Sequence, residues 1–183
     1  LLLGAISGII IIIFMDPILK LLGSSENTYQ FSKDYLFYIA LGAPFIFFTN
    51  TFGHTVRGEG GATASMVGGM IGTIVNIVLD PIFILTLNMG AAGAAIATVI
   101  GNIFGGLYYV YYLKVKSPSL TLSLKEFQIL GKAAKRTVTL GIPAGINSAL
   151  MSFSNIILNN KLVAYGDAPV AAMGVIIKVY LLI

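Results

Sequence analysis

Asp80 lies in an apolar stretch that ends at a polar turn, Asn88-Met89-Gly90, and Asn76 precedes it by four residues. That i, i+4 spacing puts an amide and a carboxylate on one helix face, about one turn apart, and Thr73 continues the stripe. An ionised carboxylate in hydrocarbon costs about 2.5–3.5 kcal/mol on insertion scales, so such a residue needs a function or a partner. Counting inward from Asn88 at about 1.5 Å per residue, Asp80 lies about 10 Å deep, with Asn76 one turn deeper. Oxygen donors stacked in this way suit a hard monovalent cation, or a proton shared by the carboxylate and a neighbouring carbonyl. Pro81 adds to the set. It has no N–H for the Ile77 carbonyl, and local unwinding there would turn a backbone oxygen toward the same place. A span starting near residue 91 and running antiparallel brings residues 95 to 99 to similar depth. Thr98 is the only side-chain oxygen among them, and Asn102 follows one turn on. Plainer roles stand beside these: Asp80 caps or snorkels to the outer interface, Asn76 cross-links helices, and Thr98 bonds a carbonyl of its own helix.

Other polar residues interrupt apolar runs. Asn147, Ser148, Ser152, Asn155 and Asn159 form a strip that either lines a water-filled cavity or holds helices together. Lys178 is ten residues into the last apolar stretch and either faces a cavity or snorkels. His54 ends a span beside the turn Arg57-Gly58-Glu59-Gly60-Gly61, and an interface position is expected for it. That turn lacks the P-loop lysine and a preceding strand, which argues against nucleotide binding. Glu26, Asp34, Glu59, Glu126 and Asp167 lie in or beside turns, and Asp16, before Pro17, is placed to reach the headgroups.

The elements that must position these groups are membrane helices. Of 183 residues 57% are apolar and only 10% charged, against about 25% charged in a typical soluble domain; the mean hydropathy is +0.92. With no cysteine, disulfides, thiol chemistry, iron–sulfur clusters and cysteine zinc sites are excluded, and one histidine builds no metal site alone. The expected architecture is an all-α, polytopic transmembrane bundle with spans at 1–22, 34–54, 65–87, 91–113, 137–164 and 168–183. The net charge of +4 is gathered largely in one connection, at Lys114, Lys116, Lys125, Lys132, Lys135 and Arg136. By the positive-inside rule this connection is cytoplasmic, and a nucleic-acid partner is not indicated. Alternation then puts the Arg57 turn inside, and the Glu26, Asn88 and Asp167 turns outside. Ser123-Leu124-Lys125-Glu126 reads as a capping box opening a short amphipathic helix on the inner surface, or else as part of a charged linker. Gly93, Ala97, Gly101 and Gly105 on one span, with Gly68 and Gly72 on another, predict close helix packing. The chain starts at Leu1 and stops at Ile183 inside apolar runs, so an internal piece of a longer protein is expected.

The run Val56-Arg57-Gly58-Glu59-Gly60-Gly61 is followed by Gly72, by Asn76 through Asp80-Pro81 to Ile84, by Gly90 through Gly93 to Thr98, and by Leu140-Gly141-Ile142-Pro143. In order and spacing this resembles the multidrug and toxic compound extrusion (MATE) transporters. The resemblance implies a two-bundle (6+6) secondary transporter in the plasma membrane, with the chain covering the third to eighth of twelve helices. Residues 1–113 would be the last four helices of the N-terminal bundle, 114–136 the cytoplasmic connection, and 137–183 the first two helices of the C-terminal bundle. It implies antiport: small organic, often cationic, substrates leave as sodium ions or protons enter, with no other cofactor. It also implies a cation site built from an aspartate of the first helix, which lies outside this chain, an asparagine and an aspartate four apart on the fifth, and a threonine of the sixth. The last three match Asn76, Asp80 and Thr98, which serve as sodium ligands if coupling is to sodium. Some branches carry a glutamate in the seventh helix; Asn147 to Asn155 has none, which favours coupling in the first bundle. Asn102, Asn147, Ser152, Asn155 and Lys178 remain candidates for lining a cavity. Two alternatives stand open. A lipid-linked saccharide flippase of related architecture would show more intramembrane Lys and Arg than Lys178 alone. An intramembrane enzyme would need convergent acid, base or nucleophile groups, and no such set is present, so no enzymatic activity is expected.

Overall fold

The computed structural model describes residues 1–117 and 132–180. The capping box at Ser123 and the expected surface helix from Leu124 to Leu130 lie outside the described residues, while Ala134, its last expected position, falls in the helix that begins at Lys132. The rest is helical: α1 (Leu2–Ile13), α2 (Met15–Leu21), α3 (Tyr29–Gly58), α4 (Ala62–Pro81) with a wider π-type continuation over Ile82–Thr86, α5 (Gly90–Val115), α6 (Lys132–Val163) and α7 (Asp167–Tyr180). Four stretches are long and apolar enough to cross a bilayer: Tyr29–Gly58, Ala62–Thr86, Gly90–Val115 and Lys135–Val163. A fifth appears if α1 and α2 count as one broken span. The fold is therefore an all-α membrane bundle, with four or five such spans among the described residues. α7 has 14 residues among those described, short of a full crossing.

The expected first span, 1–22, is not one straight helix, because α1 and α2 meet at an 80° bend. Pro17 is the cause. Its ring clashes with the carbonyl four residues back and offers it no N–H, and α1 ends at that residue, Ile13. In the first turn of α2, where backbone N–H groups have no partner in any case, the same proline is tolerated. Phe14, at φ −102° and ψ 23°, takes the turn. Asp16 is exposed after the bend, where it accepts from the Tyr29 hydroxyl at 2.6 Å and the Lys33 ammonium at 3.0 Å.

Two compact units are formed. One comprises Leu1–Ile18 and Thr28–Leu122; the other comprises Leu19–Asn27 and Ser123–Ile183. In the first, α3 packs against α1, α4 and α5, and α4 against α5. Val56, Tyr109 and Leu113 make a small core with Phe52 and Tyr108 against them. Large apolar side chains such as Ile74, Ile77 and Val78 stay exposed, as suits a surface solvated by lipid. The helices meet backbone to backbone. A Cβ on Gly101 would stand 2.5 Å from the Gly72 carbonyl oxygen, and one on Gly105 would stand 2.9 Å from that of Gly68. The small-residue faces read from the sequence are thus the α4–α5 seam. The turn after the π-type segment is the expected hairpin, with Asn88 at φ 51° and Gly90 at φ 55°.

Gly101→Val should separate α4 from α5 and lower stability by about 1–3 kcal/mol, the usual cost of overpacking. Gly145→Ala, where an added Cβ meets nothing within 4 Å, should leave stability equal or slightly raised. Thermal unfolding of the purified protein in detergent checks both, and equal midpoints for the two variants would contradict the seam.

Candidate cation site

α4 carries Asn76 and Asp80 one turn apart on one face, and the close seam brings Thr98 of α5 to the same level. The Asn76 amide nitrogen lies 3.1 Å from the Asp80 carboxylate and 3.4 Å from the Thr98 hydroxyl. The three residues named from the sequence are therefore brought together, all half-buried. The Thr98 hydroxyl also donates to the Ala94 carbonyl at 2.9 Å. The hydroxyl thus bonds its own helix while standing beside Asn76. With its proton committed to its own helix, its lone pairs are left to face the cluster. Among the described residues no Lys or Arg is paired with Asp80, and the one ion pair is Lys33 with Asp16. Nor do the described residues hold a group of three His, Cys, Asp or Glu fit for a transition metal. One carboxylate with neutral oxygens is instead a donor set for a hard, singly charged ion.

The unwinding expected at Ile77 is not where it was placed. α4 stays helical through Pro81, and the backbone widens after it, over Ile82–Thr86. Removing the N–H of residue 81 is tolerated because the strain passes forward, into a segment where Leu87 bonds back to Ile82 and Met89 to Phe83. Thr73, expected to extend the oxygen stripe, is exposed and bonds the Gly69 carbonyl at 3.0 Å. Asn102 turns its side-chain amide along α5 to the Thr98 carbonyl at 2.9 Å, while its main-chain carbonyl accepts from the Thr49 hydroxyl at 2.7 Å.

A cleft of about 340 Å³ opens beside the cluster, lined by Thr49, His54 and Arg57 of α3, by Ser65 and Asn76 of α4, and by Thr98 of α5, among others. Thr49 is a lining residue that the sequence pattern did not single out. The available signal was its place four and eight residues before Gly53 and Arg57, on one face of α3.

In the second unit the polar strip divides. Ser152, Asn155 and Asn159 line a cavity of about 500 Å³ whose other walls are mostly apolar, and Asn147 is exposed away from it. Asn159 and Asn160 grip the end of α2: Asn159 donates to the Leu22 carbonyl and Asn160 to the Leu21 carbonyl, the latter at 2.8 Å. These carbonyls are the ones a helix C-terminus leaves without partners. The side chain of Lys178 lies outside the described residues.

The fold is that of a helical integral membrane protein. The family model MatE matches residues 1–82. The multidrug export protein MepA of Staphylococcus haemolyticus is 31% identical over 175 residues, which is 96% of this chain and 39% of that protein. Among solved structures, an inward-facing multidrug resistance MATE family transporter of the MOP superfamily superposes with a TM-score of 0.82 at 30% identity, over 90% of this chain and 38% of its own. A MOP superfamily transporter from Pyrococcus furiosus, described as having a binding pocket of reversed polarity, gives 0.83 at 29% identity, over 100% of this chain and 41% of its own. In sequence and fold the chain is thus similar to MATE transporters. It spans about two-fifths of the length of the curated relatives it matches.

Asn160→Ala should free the Leu21 carbonyl and lower stability by about 0.5–1.5 kcal/mol, the net value of one such bond. An unfolding midpoint equal to that of the unaltered protein would show the grip to be idle.

Proposed function

We propose that the protein bearing this chain exports small organic, often cationic, compounds across the plasma membrane by antiport against sodium ions or protons, and that Asp80, Asn76 and Thr98 bind the coupling ion. The observation that carries this reading is the Asn76 amide set between a half-buried carboxylate and a hydroxyl on the facing helix. The names of the relatives, exporters rather than enzymes, support the transport half of it.

The chemistry follows from the donors. Asn76 offers N–H to Asp80, so a cation entering the cluster competes with that bond. A half-turn of the amide presents Oδ1 instead, giving the ion a carboxylate, an amide oxygen and a hydroxyl oxygen. A proton on Asp80 has a related effect, because a neutral carboxyl accepts the N–H less strongly. Either ion then shifts the transporter only by its different affinity for the two access states. On this reading residues 1–113 end the first bundle, 137–183 begin the second, and the basic connection 114–136 lies in the cytoplasm.

Asp80→Asn should abolish cation-gradient-driven dye efflux from proteoliposomes while the protein still inserts. Retained coupled efflux would refute the site. Running the same assay under a sodium gradient and then a proton gradient tells which ion is used. Thr98→Ala should raise the cation concentration needed for half-maximal efflux severalfold, with a smaller loss than at Asp80. An unchanged dependence would remove Thr98 from the site.

A further inference from the structure

The turn that joins α3 to α4 is closely determined. Glu59 caps the end of α3, and Gly60 follows in the left-handed region at φ 94°. The Gly60 N–H donates to the Arg57 carbonyl at 3.1 Å and the Gly61 N–H to the Val56 carbonyl at 3.0 Å. Those two bonds, one reaching back three residues and the other five, form the Schellman arrangement that satisfies the last carbonyls of a helix. Gly61 is held from the side as well, since a Cβ there would stand 2.8 Å from the Tyr112 hydroxyl of α5 and 3.0 Å from Val56. Val56 packs with Tyr109 and Leu113, all three buried, so the turn sits on the small core of its unit.

The end of α5 is fastened to this turn. The N–H groups of Lys116 and Ser117 both donate to the Tyr112 carbonyl, at 2.8 and 3.0 Å. Pro118 comes next in the sequence and disfavours helical geometry at Ser117, and α5 ends just before, at Val115. The Ser117 hydroxyl then donates to the Glu59 carboxylate at 2.7 Å, across 58 positions and within one compact unit. Both residues are half-buried. A hydroxyl on an ionised acceptor makes a shorter and stronger bond than a neutral pair, and partial burial strengthens it further. On the orientation proposed above, Ser117 lies at the start of the basic connection between bundles, and Glu59 stands immediately before the helix that carries Asn76 and Asp80.

We propose that Glu59 is a positioning residue for transport: by holding Ser117 it clasps the start of the connection to the turn that opens α4. Movement between the bundles then acts on α4, with two of the three cation ligands, as well as on α5. Without the clasp the connection would pull on α5 alone, which supplies only Thr98. The inference rests on the function proposed above and adds the link through which rocking reaches the cation site.

The test uses the whole protein, in detergent for one arm and in proteoliposomes for the other. Lys116 is exposed, and trypsin cuts after it when the chain around it opens locally; the fragment mass reports that cut. Glu59→Ala and Ser117→Ala should each speed the cut roughly tenfold, the weight of one hydrogen bond to a charged group. The double variant should be cut no faster than either alone, because both changes remove the same bond. In proteoliposomes each alanine variant should lower the maximal rate of cation-driven dye efflux severalfold. The cation concentration for half-maximal efflux, and the rise in melting temperature caused by the ion, should stay unchanged. Ser117→Thr, which keeps the hydroxyl, should match the unaltered protein in both arms. Unchanged cleavage or efflux in the alanine variants, effects that add in the double variant, a shifted cation dependence, or a loss in Ser117→Thr equal to that in Ser117→Ala would overturn the clasp. Failure of the transport reading shows elsewhere: the unaltered protein would move no dye under either cation gradient, while the cleavage rates of the variants still differed.

Discussion

Asn76 reaches acceptors on two helices because almost nothing separates the backbones of α4 and α5 one turn away. At Gly72 and Gly101 each backbone takes the place where the other would carry a side chain; a turn further along, the Gly68 carbonyl does so at Gly105, and the Tyr109 ring does so at Gly68. In hydrocarbon no water is released when helices meet, so close contact must supply the attraction itself, through dispersion between backbones that small residues let approach. The seam fixes the distance between helices, and that distance sets the 3.4 Å from amide to hydroxyl. With larger residues at the seam, the carboxylate on α4 and the hydroxyl on α5 would stand too far apart to share one amide.

The prolines show how the same chemistry gives different structures in different settings. Pro17 ends α1 because the chain beyond it finds other partners, with Asp16 bound by Tyr29 and Lys33 and the end of α2 gripped by Asn159 and Asn160. Pro44 and Pro143 lie inside α3 and α6, and those helices run through. Pro81 closes α4 and is followed by a widened turn that packs onto the start of α5, where a Cβ on Gly93 would touch Phe83 at 2.9 Å. The hairpin ends of the two helices are pinned there, so Asp80 and Thr98 are held in register from the hairpin side as well as by the glycines on the other.

How much of this could be read in the residues follows from the range of the interactions. Asn76 and Asp80 were legible because their relation is local: four residues on a helix fix a face. Thr98 was legible because a tight hairpin links depth on one span to depth on the next. The glycine faces showed through their repeat. The bend at Phe14 was missed although Pro17 was in view, since hydropathy over 1–22 counts side chains and ignores a lost backbone donor. The widening near Pro81 was set on its N-terminal side, where the orphaned carbonyl is, whereas the chain relaxed on the C-terminal side, where nothing yet constrained it. The cleft depends on how α3 is rotated against α4 and α5, and the grip of Asn160 on Leu21 joins positions 139 residues apart. Neither leaves a periodic trace.

On the proposed reading, the donors also decide which residue responds when an ion arrives. The Thr98 proton is spent on Ala94, so its oxygen faces the cluster with or without an ion. The Asp80 carboxylate can only accept. Asn76 alone has both a donor end and an acceptor end, and while its N–H points at Asp80 and Thr98 it ties α4 to α5 directly. Turning it to serve a cation replaces that direct tie with one through the ion, whose oxygen ligands tolerate a range of angles. The link between the two helices is therefore different in kind in the loaded and unloaded forms. A difference of that sort is what an ion needs in order to prefer one access state over the other.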